Sequence, residues 1–387
     1  MMRMKKIILF SFLLLAFACR EKYVPQLNEP VTGYLVVEGF INSGASATTI
    51  TLSRSTKLSN LASVVKETKA VVRVENKANT SSFPLTETSP GVYTNPQITL
   101  NPTDQYRLYI KSSLGKEYVS DYSAVRRTPD IDSVSWRREN GGVQIYANTH
   151  DNLANTKYYQ FIYDETWEFT SKYSTMLKVY NDRLGNPHHV GYRDSSNPVY
   201  DAKVYRCWKT NVPSNILICS TEKLTKDIVS LFPLTYIDPA TWKLGILYSI
   251  NVKEYALSQQ GYRFLEQLRK NTEQLGSIFN AQPSDNNGNM HCITNPDEVV
   301  IGFVEVSEEK QKRIFISNAQ VPGWNYTQLC DNEIVVRNLP DSIKIANGIP
   351  TNVSFGGITG LDYIYFGPSV CVDCTLRGVN TKPPYWP

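Results

Sequence analysis

The sequence predicts a mainly β protein with an α+β C-terminal part. An N-terminal immunoglobulin-like antiparallel β-sandwich is followed by a larger, disulfide-bonded, β-rich domain with two or so helices. Three observations predict this class. Short alternating runs of apolar and polar residues, separated by turn signals, fill residues 34–127. An aromatic strand signal occupies residues 158–169, and every cysteine except Cys19 lies after residue 200. The N-terminal part must therefore fold on its own core, without disulfides.

The first eighteen residues have the pattern of a bacterial lipoprotein signal peptide. Three basic residues lie within the first six, residues 7–17 are apolar except for Ser11, and small residues precede Cys19. A membrane-spanning helix needs about 20 apolar residues, so this run is too short to be an anchor. We expect residues 1–18 to be removed and Cys19 to be lipidated. The alternative is ordinary secretion, with cleavage after Ala18 and an unmodified Cys19.

Residues 19–32 contain two prolines and several polar residues, which is typical of a short tether between a membrane and a first domain. Arg20, rather than an aspartate, follows Cys19, and this favours the outer membrane over the inner membrane. Several acyl chains on one cysteine hold a protein stably at a membrane. We expect a lipid-anchored outer-membrane protein on the cell-surface face, although surface display rests on one acidic residue, Glu21.

Residues 33–128 are predicted to form the immunoglobulin-like sandwich. Strand-like runs such as 34–41 and 48–53 are separated by turn signals, of which residues 42–44 are the first. No cysteine pair supports a true antibody-type domain, so the prediction concerns the architecture alone. The Thr-Pro-Asp sequence at 128–130 marks the expected boundary.

Residues 129–387 are predicted to form the β-rich α+β domain. It begins with strand-like runs at 131–136 and 142–147. A Ser-Thr-Glu sequence at residue 220 predicts the cap of a helix that runs to about Leu231. Apolar residues at helical spacing predict a second helix over residues 254–275.

Six cysteines remain once Cys19 is assigned to a lipid: Cys207, Cys219, Cys292, Cys330, Cys371 and Cys374. An even number in an exported chain indicates three disulfides, but the sequence does not determine the connectivity. One alternative is a zinc site that uses the CxxC of Cys371 and Cys374 together with two of Cys330, Cys292 and His291. Another is a redox-active CxxC. Structural disulfides are favoured over both.

The charge balance argues against nucleic-acid binding. The formal net charge is +4, and removal of the signal peptide leaves 37 basic and 36 acidic residues. A strongly basic footprint, which nucleic-acid binding requires, is absent from this composition. We expect no nucleic-acid partner.

No catalytic motif is present in the sequence. None of the four histidines lies in an HExxH motif, and no GxSxG, P-loop or strand-following GxGxxG occurs. The acidic stretch from residue 285 lacks the glycine and glutamate that an EF-hand needs. No catalytic residue, metal ligand or cofactor is therefore predicted. A hydrolase would need two close carboxylates, or a Ser-His-Asp cluster around His150 or His188.

The aromatic content is high, with 24 tyrosines and 6 tryptophans. Such side chains suit binding surfaces because they combine rigid apolar area with a polar tip. The candidates for a ligand or partner face are Tyr158, Tyr159, Tyr163, Trp167 and Tyr173. The alternative interpretation is that these residues fill a β core.

Several stretches resemble a known family. They are LVVEGFI at 35–41, Cys207-Trp208, GSIFNAQP at 276–283, and CVDCTLRG at 371–378 with the terminal Tyr385-Trp386. Together they resemble a Bacteroidota family of outer-membrane lipoproteins, catalogued as the domain of unknown function 4249. The resemblance implies an accessory role beside TonB-dependent outer-membrane receptors that carry a carboxypeptidase-regulatory-like extension. It provides no functional residues to transfer.

The favoured hypothesis is a non-enzymatic outer-membrane lipoprotein. It would be an accessory or binding subunit of a TonB-dependent transporter, for capture or uptake of a ligand that the sequence does not name. The alternatives are a surface hydrolase that acts on glycan or peptide, and an adhesin or structural surface protein.

Overall fold

The computed structural model describes residues 33–56, 64–79, 81–194, 202–273, 288–324, 326, 328–354 and 363–387. The expected signal peptide (1–18), lipidation site (Cys19) and tether (19–32) lie outside these ranges. Within them, no helix has the length and apolar character needed to cross a membrane.

Strands dominate the described residues. In chain order they are β1 (Leu35–Asn42), β2 (Thr48–Arg54), β3 (Val65–Lys66), β4 (Val71–Asn76), β5 (Ser82–Ser89), β6 (Val92–Asn95), β7 (Gln105–Lys111), β8 (Glu117–Ser120), β9 (Ser123–Ala124), β10 (Ile131–Glu139), β11 (Gly142–His150), β12 (Tyr158–Thr170), β13 (Leu177–Asn181), β14 (Pro187–Tyr192), β15 (Arg206–Asn211), β16 (Leu217–Ser220), β17 (Ile228–Ile237), β18 (Leu247–Ala256), β19 (Met290–Cys292), β20 (Val300–Gly302), β21 (Val306–Ser307), β22 (Lys310–Ser317), β23 (Ile334–Arg337), β24 (Ile349–Ser354) and β25 (Tyr363–Gly367).

Helices are few and mostly short. The α-helices are α1 (Ala202–Tyr205), α2 (Gln259–Glu273), α3 (Pro340–Ile345) and α4 (Ser369–Val372), and short 3₁₀ turns cover Trp242–Leu244, Asn318–Gln320 and Cys374–Leu376. Among the helices of the described residues, only α2 is long enough to present an apolar face over several turns. The prediction of a mainly β protein is confirmed.

The first sandwich has immunoglobulin-like strand order. β1 pairs with β2, and β2 with β6, while β4 pairs with β7, and β7 with β8. β5 pairs with both β4 and β6 and so joins the two sheets. With β1, β2, β4, β6, β7 and β8 read as strands A, B, C, E, F and G, this is the ABE/CFG arrangement of the immunoglobulin fold.

Three strands from late in the chain complete this first sandwich. β20 and β21 both run parallel to β1, and β19 pairs antiparallel with β8. Val300, Val304 and Val306 consequently lie in the same core cluster as Leu35 and Ile50. The expected division into contiguous domains, 33–128 and 129–387, is therefore wrong for this segment, because about twenty residues of the second region return to the first sandwich.

The second sandwich repeats the same arrangement. One sheet has the order β10-β11-β17, and the other has β15-β12-β18-β22 with β16 also on β12. The inner faces share one core, in which Ile145 of β11 and Val229 of β17 join Phe161 of β12 and Ile250 of β18. Facing sheets with alternating apolar positions form a β-sandwich.

A small module lies at the far end of the second sandwich. The hairpin of β13 and β14 packs against the sheet β23-β25-β24 and helix α3. The Asn338 side chain pairs with both backbone groups of Val190 on β14, at 2.7 Å and 2.9 Å. Two segments that are distant in the chain are thereby joined into one unit.

Two local predictions differ from the structure. Where a helix was expected from Ser220 to Leu231, the chain makes a turn and enters β17 at Ile228, because pairing with β11 outweighs the local capping signal. The second predicted helix exists but begins at Gln259 and not at 254, since residues 254–256 belong to β18. Its expected end at residue 275 lies outside the described residues.

The two sandwiches meet at a hydrogen-bonded joint. Thr128, which is fully buried, accepts a hydrogen bond from the Ala256 backbone N–H at 3.0 Å and donates to the Glu308 carbonyl. Backbone hydrogen bonds also link Arg126 to Val306 and Glu308. The chain crosses between the sandwiches near residue 128, after residue 256 and near residue 308, and these three places are hydrogen-bonded to one another, so we infer that this joint is stiff.

Candidate ligand-binding cleft

The predicted aromatic face is buried and does not form a surface. Tyr158, Tyr159, Tyr163 and Trp167 are each 8 % exposed or less, and Tyr173 is half-buried beside the C-terminal segment. β12 lies in the middle of its sheet, so the opposite sheet covers one of its faces, and α2 and the C-terminal tail cover the other. Tyr158, Tyr159, Tyr163 and Trp167 therefore fill the core instead of forming a ligand face, and Tyr173 alone of the five candidates keeps partial exposure.

Four of the six candidate cysteines form disulfides. Cys207 is bonded to Cys374, and Cys330 to Cys371. Cys219 and Cys292 are free and lie on β16 and β19, in different sandwiches. The prediction of three disulfides is therefore wrong.

The CxxC cysteines are each bonded to a distant partner and not to each other. This pairing excludes the redox-active CxxC and leaves their sulfurs unavailable for zinc. In the described ranges, no three His, Cys, Asp or Glu side chains are grouped closely enough to hold a metal ion. The disulfides instead fasten the C-terminal segment to the second sandwich and to residue 330.

A large cavity lies where the two sandwiches and α2 meet. Its volume is about 690 Å³. β1 and residues 301–303 line it on the side of the first sandwich, while α2, β12 and residues 213–216 line the rest. Ligand sites are typically concave, mostly apolar and often placed between domains, so this cleft is the candidate binding site.

Helix α2 supplies one apolar wall. Phe264, Leu265 and Leu268 lie one turn or less apart on its cleft-facing side, with Gly261 above and Thr272 below them. Residues three and four positions apart share one helix face, so the helical period predicted from the sequence places these side chains together. The same period that identified the helix thus identified one side of the site.

Two glycines allow the chain to approach closely at the cleft. A side chain at Gly302, whose φ is +155°, would place its Cβ 2.5 Å from the Val37 carbonyl oxygen of β1. A side chain at Gly261 would collide with the carboxylate of Glu305. Only glycine fits at these two positions without displacing a cleft wall.

A buried carboxylate lies at the floor of the cleft. Both oxygens of Glu305, which is 2 % exposed, accept from the Ser258 backbone N–H, at 3.0 Å and 3.2 Å, just before α2 begins. Burial raises the pKa of this carboxyl, and the Ser258 hydrogen bonds and the nearby Arg126 oppose the rise. The carboxylate orients the helix and adds a buried acidic group to a largely apolar cavity.

Gln160 adds a second polar group to the cleft. Its Oε1 atom is buried and has no hydrogen-bond partner. Buried polar atoms in proteins are nearly always paired, so an unpaired acceptor in a cavity wall suits a ligand donor or a water. The cleft therefore combines apolar walls with two acceptors of hydrogen bonds.

The histidines form pairs with carboxylates but no catalytic cluster. His150 Nδ1 lies 2.7 Å from Asp132, which raises the pKa of the imidazole. The shallow cavity beside this pair is lined by no serine, threonine or cysteine. His188 contacts His189, with their Nδ1 atoms 3.0 Å apart on an exposed hairpin. These pairs lack the serine that a Ser-His-Asp cluster needs, whereas Asp130, Asp132 and Asp151 line the cavity beside His150, so the two-carboxylate form of the hydrolase alternative stays a prediction.

Comparisons with known proteins give one family. The family model described as a domain of unknown function (DUF4249) matches residues 20–313. No curated protein matches the chain. Among solved structures, the chain is similar to the crystal structure of chicken CNTN1 FN1–FN3 domains at 15 % sequence identity and a TM-score of 0.19. That match covers 59 % of this chain and 64 % of the other, so the chain spans less than two thirds of that structure.

Proposed function

The chain belongs to the DUF4249 family, and we propose that it is a lipid-anchored outer-membrane binding protein that captures an apolar ligand in its inter-sandwich cleft. It would act without catalysis, as an accessory subunit of a TonB-dependent transporter. The observation that carries this proposal is the cleft of about 690 Å³ between the sandwiches. Cavities of roughly 300–1,000 Å³ hold small ligands.

The lining supports an apolar ligand with a hydrogen-bond donor. Phe264, Leu265 and Leu268 provide apolar walls, and the unpaired Gln160 Oε1 provides an acceptor. A ligand that places a hydroxyl or amide N–H on Gln160 would satisfy that buried atom. The wall residues come from three separate parts of the fold, so a bound ligand would also link the sandwiches.

The anchor and the partner are supported by the sequence. The lipobox-like pattern before Cys19 supports lipid attachment, and the family resemblance supports a TonB-dependent receptor as the neighbour. The Ser-His-Asp form of the hydrolase alternative finds little support, because the cavity beside His150 is lined by no serine, while the three aspartates there leave the two-carboxylate form as a second candidate. The adhesin alternative required an exposed aromatic face, and its candidate residues are buried.

The cleft is tested with a fluorescent apolar probe. We expect N-phenyl-1-naphthylamine to bind the wild-type protein and to fluoresce more strongly once it leaves water. Leu268→Gln should weaken its affinity about tenfold, because a partly buried leucine contributes on the order of 1.4 kcal/mol. Lys270→Gln on the exposed side of α2 is the matched control and should leave the affinity unchanged. Equal affinities for the two variants would refute the cleft as the site.

The partner is tested in native membranes. A tagged protein, crosslinked and purified in mild detergent, should bring down a TonB-dependent receptor in stoichiometric amount. Cys19→Ser should release the protein from the membrane and abolish this recovery. Recovery of the lipoprotein alone, under conditions that keep known receptor complexes intact, would contradict the accessory role.

A further inference from the structure

A second, smaller cavity lies near the C-terminal segment. Its volume is about 270 Å³, and its walls include Phe169 of β12, Trp242, Tyr326 and Arg377. Phe169 and Trp242 meet edge to face, with ring centroids 4.3 Å apart. The cavity shares no lining residue with the inter-sandwich cleft.

Arg377 is a cation in this cavity without an acidic partner. Its guanidinium lies over Phe169 at 5.0 Å and Trp242 at 5.1 Å from the ring centroids. Its Nε and Nη2 atoms are both buried and have no hydrogen-bond partner. Burial lowers the pKa of this guanidinium. A buried cation without a partner is costly, so this arrangement needs an explanation.

The two unpaired atoms form one edge of the guanidinium. The same edge binds carboxylate elsewhere in this chain. Arg73 binds one oxygen of Glu75 through both Nε at 2.8 Å and Nη2 at 2.7 Å, and Arg107 binds the other oxygen through the same two atoms at 2.9 Å and 2.8 Å. Parallel N–H groups on this edge match the spacing of two carboxylate oxygens. The edge of Arg377 is thus complementary to a carboxylate that no described residue of the chain supplies.

The carboxylate that lines the cavity is already engaged. Glu168 forms an ion pair with Arg206 and accepts from the indole N–H of Trp386 at 3.0 Å. Gln328, which also lines the cavity, has a buried Oε1 atom without a partner. Two unpaired donors and one unpaired acceptor therefore belong to residues of the same cavity.

We propose that this cavity is a binding site for a small aromatic carboxylate. The carboxylate binds the Nε–Nη2 edge of Arg377, the ring packs against Phe169, Trp242 and Tyr326, and a donor on the ligand reaches Gln328. The source of the carboxylate is either a free acid or the C-terminal residue of a peptide. This site is independent of the cleft in the proposed function.

The test uses benzoate and its neutral isostere benzamide on the wild-type protein, with binding followed by calorimetry and thermal unfolding. We expect benzoate, and 4-hydroxybenzoate more strongly, to bind and to raise the unfolding temperature. Benzamide should bind at least tenfold more weakly, because it lacks the second acceptor oxygen. Equal binding of benzoate and benzamide, or no binding of either acid at millimolar concentration, would overturn the proposal.

Variants locate the site. Arg377→Met should reduce benzoate affinity at least tenfold, while the free protein stays folded because a buried unpaired charge has been removed. Lys209→Met is the control, since Lys209 lies over the same Trp242 ring at 5.6 Å but is exposed and does not line the cavity. Arg377→Lys keeps the charge without the paired edge and should also lose affinity. Unchanged affinity in both Arg377 variants would refute the site.

Two further experiments identify the source of the carboxylate and distinguish this site from the inter-sandwich cleft. N-acetyl-phenylalanine with a free carboxylate should compete with benzoate if a peptide C-terminus is the ligand, whereas its failure to compete assigns the site to free acids. Benzoate should not displace N-phenyl-1-naphthylamine, and Leu268→Gln should retain benzoate binding. Displacement of the probe by benzoate would contradict a separate site.

Discussion

The two sandwiches share one strand arrangement but are stabilised in different ways. In the first, the described part of residues 33–128 buries no carboxylate below 7 % exposure, its least exposed one, Glu67, pairs with Arg54 at 2.6 Å, and the returning segment adds one buried carboxylate, Glu305. The second buries four carboxylates at 3 % exposure or less: Glu165, Glu168, Asp227 and Glu254. The first is completed by returning strands, and the second by a tail that disulfides hold in place. One topology therefore tolerates two very different interiors.

The covering of β12 explains part of this difference. On an ordinary sandwich the outer face of a strand is solvated and carries polar residues. Here the C-terminal tail lies over the outer face, so Thr166 contacts Tyr385, and Glu168 contacts Trp386. Polar residues suited to a wet surface become buried, and each needs a partner. The difference between the sandwiches thus follows from the path of the tail.

The largest effect should come from removing the disulfide that holds the tail. Cys207→Ser combined with Cys374→Ser should lower the free energy of unfolding by about 4 kcal/mol, since this bond closes a long loop in the unfolded chain. The separation is 167 residues, against 41 for Cys330 and Cys371. In the loop-entropy account the shorter bond should contribute about 1 kcal/mol less. Urea unfolding of this variant and of the Cys330→Ser, Cys371→Ser variant measures which disulfide contributes more to the free energy of unfolding.

Thiol labelling is the control for that experiment. The mature protein, unfolded without reductant, should expose two thiols, Cys219 and Cys292. In the folded protein neither should react, since burial raises the pKa of Cys219 to about 12 and Cys292 is 3 % exposed. No free thiol in the unfolded, unreduced chain would mean a third disulfide and contradict the assigned pairing.

The buried acid Glu254 should make the second sandwich sensitive to pH. Burial raises its pKa to about 8, with Asp132 and Asp130 adding to the rise and the Thr149 hydrogen bond opposing it. The pKa of Glu254 is higher in the folded than in the unfolded protein. The contribution of this residue to the free energy of unfolding is therefore fully present below about pH 4.5 and is lost as the pH rises through 8. Glu254→Gln should match wild type at pH 5 and exceed it by a few kcal/mol at pH 9. Chemical unfolding at both pH values measures this difference. The prediction would be contradicted if the free energies of unfolding of wild type and variant changed with pH in parallel.

The joint between the sandwiches should contribute less. Thr128→Val keeps the shape of the side chain but leaves the buried Ala256 N–H without its acceptor. Such a loss costs about 1–2 kcal/mol. Hydrogen exchange should become faster at Ala256 and unchanged in the centre of β7. If hydrogen exchange became faster by the same factor throughout both sandwiches, the joint would not open independently of them.

The smallest effect is expected at the surface of the first sandwich. Glu75 joins Arg73 and Arg107 on an outer face, and all three side chains are partly exposed. Glu75→Gln should change the free energy of unfolding by about 0.5 kcal/mol, because solvent and salt screen such pairs. The substitution should leave the difference between the free energies of unfolding at pH 5 and pH 9 unaltered. A loss comparable with that of the disulfide variants would remove the contrast between the two sandwiches.

The fold class and the strands of each sandwich were predictable because the period-two pattern is local. The return of β20 and β21 to β1 was not, since parallel pairing between distant segments leaves no mark in either segment alone. The helix expected after Ser220 failed for a related reason, as its local cap competes with a partner strand on β11. Cysteine count gave the presence of disulfides, but pairing depends on distances that only the fold defines.

The binding sites were predictable in part. The apolar period of α2 gave one wall of the cleft, but β1 and residues 213–216 could not be placed opposite it from the sequence. The aromatic residues of β12 suggested a surface because their composition is the same for a core and an interface. Arg377 had no distinguishing signal, since its isolation from acids depends on how Glu168 is already paired.

The late strands of the first sandwich impose an order on biosynthesis. β1 leaves the ribosome long before β20 and β21, its neighbours on one side. Until those strands arrive, one edge of β1 presents unpaired backbone groups, which is the state in which sheets aggregate. A nascent or truncated chain that ends near residue 128 thus carries an open edge. Division of the gene at residue 128 would therefore leave this edge of β1 without its neighbouring strands.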